Sequence, residues 1–353
     1  MSVLLRFLAV LVCSGAVSYA MTRPVMRFAE RIGAIDSPDM ERRVNTIPVP
    51  RMGGLAIFFG FMAAMLLFVE MTTQVMAMLL GAIIIAAMGA VDDIVNLNAW
   101  IKLALQVFAA IVAVRCGIVV NNVSNPLSGP SFFSVGSLGA PLTVLWIVGC
   151  TNAVNLIDGL DGLAVGISTI SSVTLLVVAL LLSEPTVALV LAALTGACLG
   201  FLPYNTNPAR IFMGDVGSQL LGYILATSSV MGLFKIHAFI TFLAPMLALA
   251  LPLADTAFAV VRRVLHGQSP FRADRGHIHH RLLALGLDQK EAVILLYTFS
   301  ALLGLIAVLF ADGSLISRLI CLALAVIISV ASGLYFIFVH WKDNRHKKDE
   351  KDE

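Results

Sequence analysis

Charge is what this chain has least of. Only 12% of its 353 residues are Asp, Glu, Lys or Arg, against about 25% in a soluble domain. That scarcity excludes an ordinary soluble domain anywhere along the chain. Paired cysteines are missing too. Cys13, Cys116, Cys150, Cys198 and Cys321 stand singly in or at the ends of apolar runs. Neither a disulfide framework nor a zinc site is indicated, and packing is the expected role. No repeat period is apparent, and there is no inverted-repeat signal of the kind many transporters show. The formal net charge of +2 says nothing about partners.

Apolar runs fill the space that charge leaves. The hydrophobic share is 59% and the mean hydropathy is +0.95. Crossing a hydrocarbon core of about 30 Å takes roughly 20 apolar residues. About eleven runs meet that need: 2–22, 52–70, 75–91, 99–116, 140–157, 163–183, 186–203, 217–234, 237–261, 291–310 and 315–339. The expected fold is all-α, a polytopic membrane protein. Residues 1–341 form one membrane domain and 342–353 a charged tail. The first run is expected to stay in place, since Arg23 and a basic segment follow it and no small-x-small cleavage site stands out. Between the fourth and fifth runs, 117–139 has β-branched ends around a turn-rich middle, which reads as a small outer hairpin.

The distribution of the cations sets an orientation. With 23–51 placed in the cytoplasm, the inside holds Arg23, Arg27, Arg31, Arg42, Arg43, Arg51, Lys102, Arg210, Arg262, Arg263, Arg272, Arg275, Arg281, Lys290 and, in the tail, Lys342, Arg345, Lys347, Lys348 and Lys351. Only Arg6, Arg115, Lys235 and Arg318 fall outside. The positive-inside rule then predicts N-out and C-in. The same topology puts every polar cluster described next on the cytoplasmic face.

Asp92 and Asp93 close the third run. Adjacent carboxylates at a membrane surface repel each other, so a cation is one resolution and a solvated helix stop is another. Asn96 and Lys102 follow closely. Asn152, Asn155, Asp158 and Asp161 recur every third residue. On a helix they would share a face and form a ladder about 13 Å long. Gly159 and Gly162 would let a ligand approach the backbone there. The alternative is a glycine-rich turn between two spans.

The stretch from Pro203 to Ser218 contains Phe212-Met213-Gly214-Asp215 and returns the chain to a span. Asp215 near a helix start suits a magnesium site that keeps water and substrate phosphates, or an N-cap. His277, His279 and His280 lie among Arg272, Arg275 and Arg281. Metal binding by the imidazoles is one reading. An anion site suits a cluster with so little acid nearby better, and a plain positive-inside loop would explain only the arginines. Asp255 lies inside the ninth run as either a functional carboxylate or a structural hydrogen-bond partner.

In order, Asp-Asp, Asn-x-x-Asp-Gly-x-Asp-Gly, Phe-Met-Gly-Asp-x-Gly-Ser and His-Ile-His-His resemble the polyprenyl-phosphate N-acetylhexosamine-1-phosphate transferase family, glycosyltransferase family 4. The resemblance runs from Pro50-Arg51-Met52-Gly53-Gly54 to the tenth run. Ile278 interrupts the three consecutive histidines usual in the branch that makes the first lipid intermediate of peptidoglycan. Arg51 stands where that branch commonly has threonine. Both departures favour the branch that transfers GlcNAc-1-phosphate. Some relatives carry a third aspartate after the Asp-Asp pair, where this chain has Asn96.

The resemblance implies transfer of GlcNAc-1-phosphate from UDP-GlcNAc to undecaprenyl phosphate, with UMP released. It implies Mg²⁺ on Asp215, and Mn²⁺ could serve, since both favour oxygen ligands. It places Asp92, Asp93 and Lys102 by the lipid phosphate. Asn155, Asp158, Leu160 and Asp161 would surround the nucleoside and diphosphate, with Phe212 against uracil, Asn205 nearby and Arg51 within the substrate site. His277, His279, His280 and Arg281 would contact diphosphate or sugar. A homodimer in the cell membrane, with its active site toward the cytoplasm, is likewise implied, and no nucleic-acid partner is expected. The runner-up activity is phospho-MurNAc-pentapeptide transfer. A secondary transporter fits less well, because its site would lie at the membrane midplane. An intramembrane aspartyl protease fits poorly, because Phe212 occupies the place of the first glycine in Gly-x-Gly-Asp.

Overall fold

A computed structural model describes residues 3–36, 48–120, 122–124, 132–233, 239–267, 277–311, 316, 319–328 and 330. Arg272, Asp274, Arg275 and all of 331–353, including the tail expected at 342–353, lie outside the described residues. The described chain is overwhelmingly helical. Among the described residues six helices are long and apolar enough to cross a membrane: Leu4–Ile32, Thr73–Val95, Gly136–Ile157, Leu163–Leu181, Pro185–Asn205 and Gln289–Leu309. The chain is accordingly a multi-pass membrane protein. The other expected crossings are shorter helices, among them Gly54–Phe68 and Leu319–Ile328.

In chain order the helices are α1 (Val3–Ile32), α2 (Gly54–Phe68), α3 (Thr73–Val95), α4 (Ala99–Arg115), α5 (Gly139–Ile157), α6 (Leu163–Leu181), α7 (Pro185–Asn205), α8 (Gly214–Ser228), α9 (Phe239–Ala248), α10 (Ala250–Leu265), α11 (Ile278–Ala284) and α12 (Gln289–Ala311). Two differ from the sequence expectation in an instructive way. Helix α1 runs on through Arg23 and Pro24 to Ile32, where a polar loop was expected from residue 23. Arginine is a good helix former, so polarity alone does not end a helix. The ninth run is broken into α9 and α10 at Leu249. Pro245 lies inside α9 and Pro252 near the start of α10, and proline removes a backbone donor on either side of such a break.

Helix α8 is the hub. Every residue from Val216 to Ser228 is buried, as expected of a helix enclosed on all sides. It packs against α3 and α5, and α2 closes over its first turn. That contact is backbone on backbone: a Cβ on Gly54 would collide with the Gly217 amide nitrogen and Cα. Small residues permit such approach in membrane bundles, where van der Waals packing holds helices together. The segment before α2 is stitched to the segment before α8. Phe212 N–H donates to Pro50 C=O at 2.8 Å, Gly53 N–H to Phe212 C=O at 2.9 Å, and Gly54 N–H to Met213 C=O at 2.8 Å.

Two short strand pairs complete the described chain. Strand β1 (Ile35–Asp36) pairs antiparallel with β2 (Val49–Pro50). Within the segment expected to hold a hairpin, β3 (Asn122–Ser124) pairs antiparallel with β4 (Phe132–Ser134). Cys150, Cys198 and Cys321 are buried.

Candidate active site

The expected Asn–Asp ladder does not stay on one helix. Helix α5 ends at Ile157, and Asp158 is its C-cap. Gly162 then takes a left-handed conformation, φ 78°, which glycine adopts without steric cost. Asn152 and Asn155 therefore belong to α5, whereas Asp158 and Asp161 lie on the turn to α6. The turn is held from two sides. Asn205 Oδ1 accepts from Gly162 N–H at 3.2 Å, and Tyr297 Oη donates to Gly162 C=O at 2.6 Å.

This turn, the start of α8 and the end of α3 enclose a cavity of about 250 Å³. Most of the expected site residues line it: Arg51, Asp93, Asn155, Asp158, Leu160, Asp161, Asn205, Phe212, Asp215 and His280. Asp36, Gly159, Gly214 and Gln289 line it too. Asp36 is held at 2.8 Å by Arg51, a pairing made by the β1–β2 register.

Asp215 is in the first turn of α8, and its carboxylate receives three side-chain donors. Asn155 Nδ2 reaches Oδ1 at 3.1 Å. Lys102 Nζ and Gln219 Nε2 reach Oδ2 at 3.1 and 2.9 Å. Lys102 also donates to Asp92 Oδ2 at 2.9 Å. It thus ties the end of α3 to the start of α8 through a residue of α4.

The two adjacent aspartates have different jobs. Asp92 Oδ1 accepts from Leu97 N–H at 2.6 Å, and its other oxygen holds Lys102. Asp92 is buried and is absent from the cavity wall. Asp93 turns the other way: Oδ1 accepts from Asp215 N–H at 3.0 Å and Oδ2 from Val216 N–H at 3.3 Å. It caps the N-terminus of α8 from another helix, satisfying amides that have no partner within α8.

Asp161 is buried and accepts from Asn207 Nδ2 and Ala209 N–H, each at 3.0 Å, on Oδ2. Asn207 Nδ2 also reaches Gln289 Oε1 at 2.8 Å, bringing the start of α12 to the cavity rim. Buried Asn205 donates from Nδ2 to Ile211 C=O at 3.0 Å. Its amide joins the α5–α6 turn to the loop before α8.

Negative charge gathers on the wall. Burial pushes the Asp158 carboxyl up to about 8, and the charges of Asp215 and Asp93 push it the same way. The second of these causes, repulsion among neighbouring carboxylates, is one that a cation would relieve.

The histidines divide similarly. Only His280 reaches the cavity wall. His277 Nδ1 lies 2.8 Å from Asp255 Oδ2, and Ile278 N–H donates to Asp255 Oδ1 at 2.8 Å. Asp255 is therefore the partner that seats the start of α11. His279 is buried between the other two rings: its centroid is 5.9 Å from His277 and 4.3 Å from His280. Burial, with the neighbouring His280 and His277, pulls its pKa down to about 4. A neutral ring packed against Gly159 is a poor anion ligand. Arg281 is exposed on α11, away from the cavity wall.

Sequence reasoning missed Gln106, Gln219, Asn207 and Gln289. Gln106 and Gln219 are buried, and a glutamine inside an apolar run is the signal that could have found them.

The chain belongs to glycosyl transferase family 4, whose family model matches residues 75–233, the segment that holds the aspartates and the α5–α6 turn. It is 39% identical to a Bacillus subtilis protein named probable undecaprenyl-phosphate N-acetylglucosaminyl 1-phosphate transferase, across 88% of this chain and 87% of that one. It is 35% identical to the Mycobacterium tuberculosis decaprenyl-phosphate N-acetylglucosaminephosphotransferase, across 83% and 80%. A Thermotoga maritima undecaprenyl-phosphate alpha-N-acetylglucosaminyl 1-phosphate transferase is 30% identical, across 82% and 86%.

Proposed function

We propose that this protein transfers GlcNAc-1-phosphate from UDP-GlcNAc to undecaprenyl phosphate. An oxygen of the lipid phosphate attacks the β-phosphorus. The bond from that phosphorus to the bridging oxygen breaks, and UMP leaves with the bridging oxygen. The product is undecaprenyl-diphosphate-GlcNAc, the start of a cell-envelope glycan such as teichoic acid or O-antigen. The positive-inside bias supports an N-out, C-in topology with about eleven crossings and the site at the cytoplasmic face of the cell membrane.

The observation that carries this reading is the meeting of Asp215, Asn155 and the α5–α6 turn around one cavity, with Lys102 bound to the Asp215 carboxylate, in a chain whose relatives bear these names. Phosphoryl transfer is catalysed mainly by positioning and by neutralising charge. Lys102 meets both needs for the lipid phosphate. Phe212 offers a ring face to the uracil, Asn155 and Asp161 offer polar contacts to the nucleotide, and His280 and Arg51 offer positive charge to the diphosphate.

The donor set fits Mg²⁺. Among the described residues no three His, Cys, Asp or Glu side chains form a closed metal cage. Zinc sites usually need such a cage, whereas Mg²⁺ is held by one or two carboxylates, water and substrate phosphates. Asp215, with Asp93 and Asp158 on the same cavity lining, is such a wall. Bound there, Mg²⁺ or Mn²⁺ would neutralise diphosphate charge and favour departure of UMP.

The hydrogen bonds of Asp92 and Asp93 support placement over general base catalysis for this pair. Each oxygen of both carboxylates already accepts a protein donor. The lipid phosphate, with a second pKa of about 6, is largely ionised at neutral pH and gains little from a base.

The test uses purified protein in detergent, undecaprenyl phosphate, Mg²⁺ and radiolabelled UDP-GlcNAc. Lipid-linked label matched by UMP, and lost on chelation or in Asp215→Ala, is the expected result. Product from UDP-MurNAc-pentapeptide and none from UDP-GlcNAc would reverse the assignment of the donor.

A further inference from the structure

Behind Asp215, on the side away from the cavity, three amides form a continuous chain through the apolar bundle. Gln219 lies one turn beyond Asp215 on α8 and donates from Nε2 to Asp215 Oδ2 at 2.9 Å. Gln106 on α4 donates from Nε2 to Gln219 Oε1 at 2.8 Å. Asn152 on α5 donates from Nδ2 to Gln106 Oε1 at 2.7 Å, and the same Nδ2 donates to Val148 C=O at 2.8 Å. The return contact, Gln106 Nε2 to Asn152 Oδ1, is longer, at 3.4 Å. Gln106 and Gln219 are 2% and 1% exposed.

The chain has a sense. An ionised carboxylate only accepts hydrogen bonds, so Gln219 must present its NH₂ to Asp215 and its carbonyl to Gln106. Gln106 must then present its own NH₂ to Gln219, leaving its carbonyl for Asn152. The Val148 carbonyl fixes the NH₂ of Asn152 at the far end. Each amide is therefore locked in one of its two flips by its neighbours. Burying Gln106 and Gln219 and half-burying Asn152 in an apolar bundle is costly unless each amide is satisfied. Packing alone would be served as well by leucine at the two glutamine positions.

We infer that Gln219, backed by Gln106 and Asn152, is a positioning residue that sets the orientation of the Asp215 carboxylate toward the cation at the cavity. The inference rests on the reading of Asp215 as the metal ligand. It predicts that the chain acts as a unit: once Gln219 is gone, Gln106 has nothing left to orient. Partners that orient a metal ligand through hydrogen bonds typically change metal affinity by about 10–100-fold when removed.

The test is Mn²⁺ binding to the full-length protein in detergent, read by electron paramagnetic resonance of free Mn²⁺, with the Mg²⁺ concentration for half-maximal transfer measured alongside. Gln219→Leu is expected to raise the Mn²⁺ Kd about tenfold or more. Gln106→Leu should raise it in the same direction by less, and Gln106→Leu/Gln219→Leu should match Gln219→Leu alone. Thr227→Val removes another buried hydroxyl of α8, about 18 Å along the helix from Asp215, and should leave the Kd unchanged. A wild-type Kd in Gln219→Leu overturns the inference, as does a double variant equal to the sum of the singles. If Gln219→Leu does not fold, Gln106→Leu decides on the same readout, and an unchanged Kd there overturns the inference. Mn²⁺ binding without transfer from UDP-GlcNAc sinks the proposed reaction and leaves the positioning role standing. No Mn²⁺ binding by the unsubstituted protein sinks the metal reading of Asp215, and the inference with it.

Discussion

Asp93 is bound to the backbone of Asp215. Its Oδ1 accepts the Asp215 N–H at 3.0 Å, from a position 122 residues earlier in the chain. One carboxylate of the site thus fixes the backbone that carries another. With Val216 N–H on its second oxygen, Asp93 joins the last turn of α3 to the first turn of α8. The negative charge also lies at the positive end of the α8 dipole, where it is favourable.

Substitution of Asp93 therefore should reduce stability as well as activity. Asp93→Ala leaves two amides without an acceptor and is expected to cost about 1–2 kcal/mol. Asp93→Asn keeps one acceptor and should cost less. Thermal unfolding in detergent, with and without Mg²⁺, checks the order. Equal melting temperatures for wild type and Asp93→Ala would count against the capping role.

Lys102 stands between Asp92 and Asp215 at 2.9 and 3.1 Å. Lys102→Met leaves both carboxylates without their shared cation and removes the proposed contact to the lipid phosphate. Transfer should fall by about 100-fold or more. Lys102→Arg, which keeps the charge but not the shape, should recover part of it. The assay is initial rate against undecaprenyl phosphate concentration. A Lys102→Met rate within a fewfold of wild type would show that the lysine only holds the helices together.

Asp92 allows a separate test of base catalysis. With both oxygens committed to Leu97 and Lys102, Asp92→Asn should depress the rate evenly across pH. A pH–rate profile in which the variant recovers in alkali would instead assign Asp92 as a base.

Asp158 predicts a pH dependence with a definite sign. Its carboxyl stands near 8 in the folded protein, against an ordinary value of 3.8. Between those values the folded state holds a proton that the unfolded chain has released. Without a divalent cation, its contribution to stability is thus fully present below about pH 4 and is lost as pH rises through 8. Added Mg²⁺ should raise the melting temperature more at pH 9 than at pH 6. Asp158→Asn should flatten that difference, and identical Mg²⁺ effects at both pH values would contradict the assignment.

Gly54→Ala should disturb the fold before it disturbs the chemistry. The added methyl would meet the Gly217 backbone, and overpacking of this kind costs about 1–3 kcal/mol. Lower yield of folded protein and a lower melting temperature are expected, with the KM for UDP-GlcNAc close to wild type in what survives.

The residues fall into two groups by how readable they were. Asp215, Asn155 and the α5–α6 aspartates announced themselves because carboxylates and amides in apolar sequence are costly and few. Their position at helix ends followed from hydropathy. The expected ladder failed at Asp158, since a spacing of three fits a helix face and a Gly-punctuated turn equally well. Glycine decided for the turn. The histidines looked like one cationic cluster because their spacing is close. Only packing shows that His277 serves Asp255, His279 is buried and neutral, and His280 alone meets the cavity.

By itself the sequence determined that this chain is a helical membrane protein with its polar residues collected at helix ends, because hydropathy and the cost of burying charge act residue by residue. It also carried the order of motifs that marks the family. Only the tertiary structure decided how the work is shared. It separates Asp92 from Asp93, sets Lys102 between two carboxylates, and aligns Asn152, Gln106 and Gln219 behind Asp215. Those relationships depend on hydrogen bonds between residues up to 123 positions apart. Such bonds need donor and acceptor within about 3 Å, a condition that helix packing meets and that no spacing along the chain records.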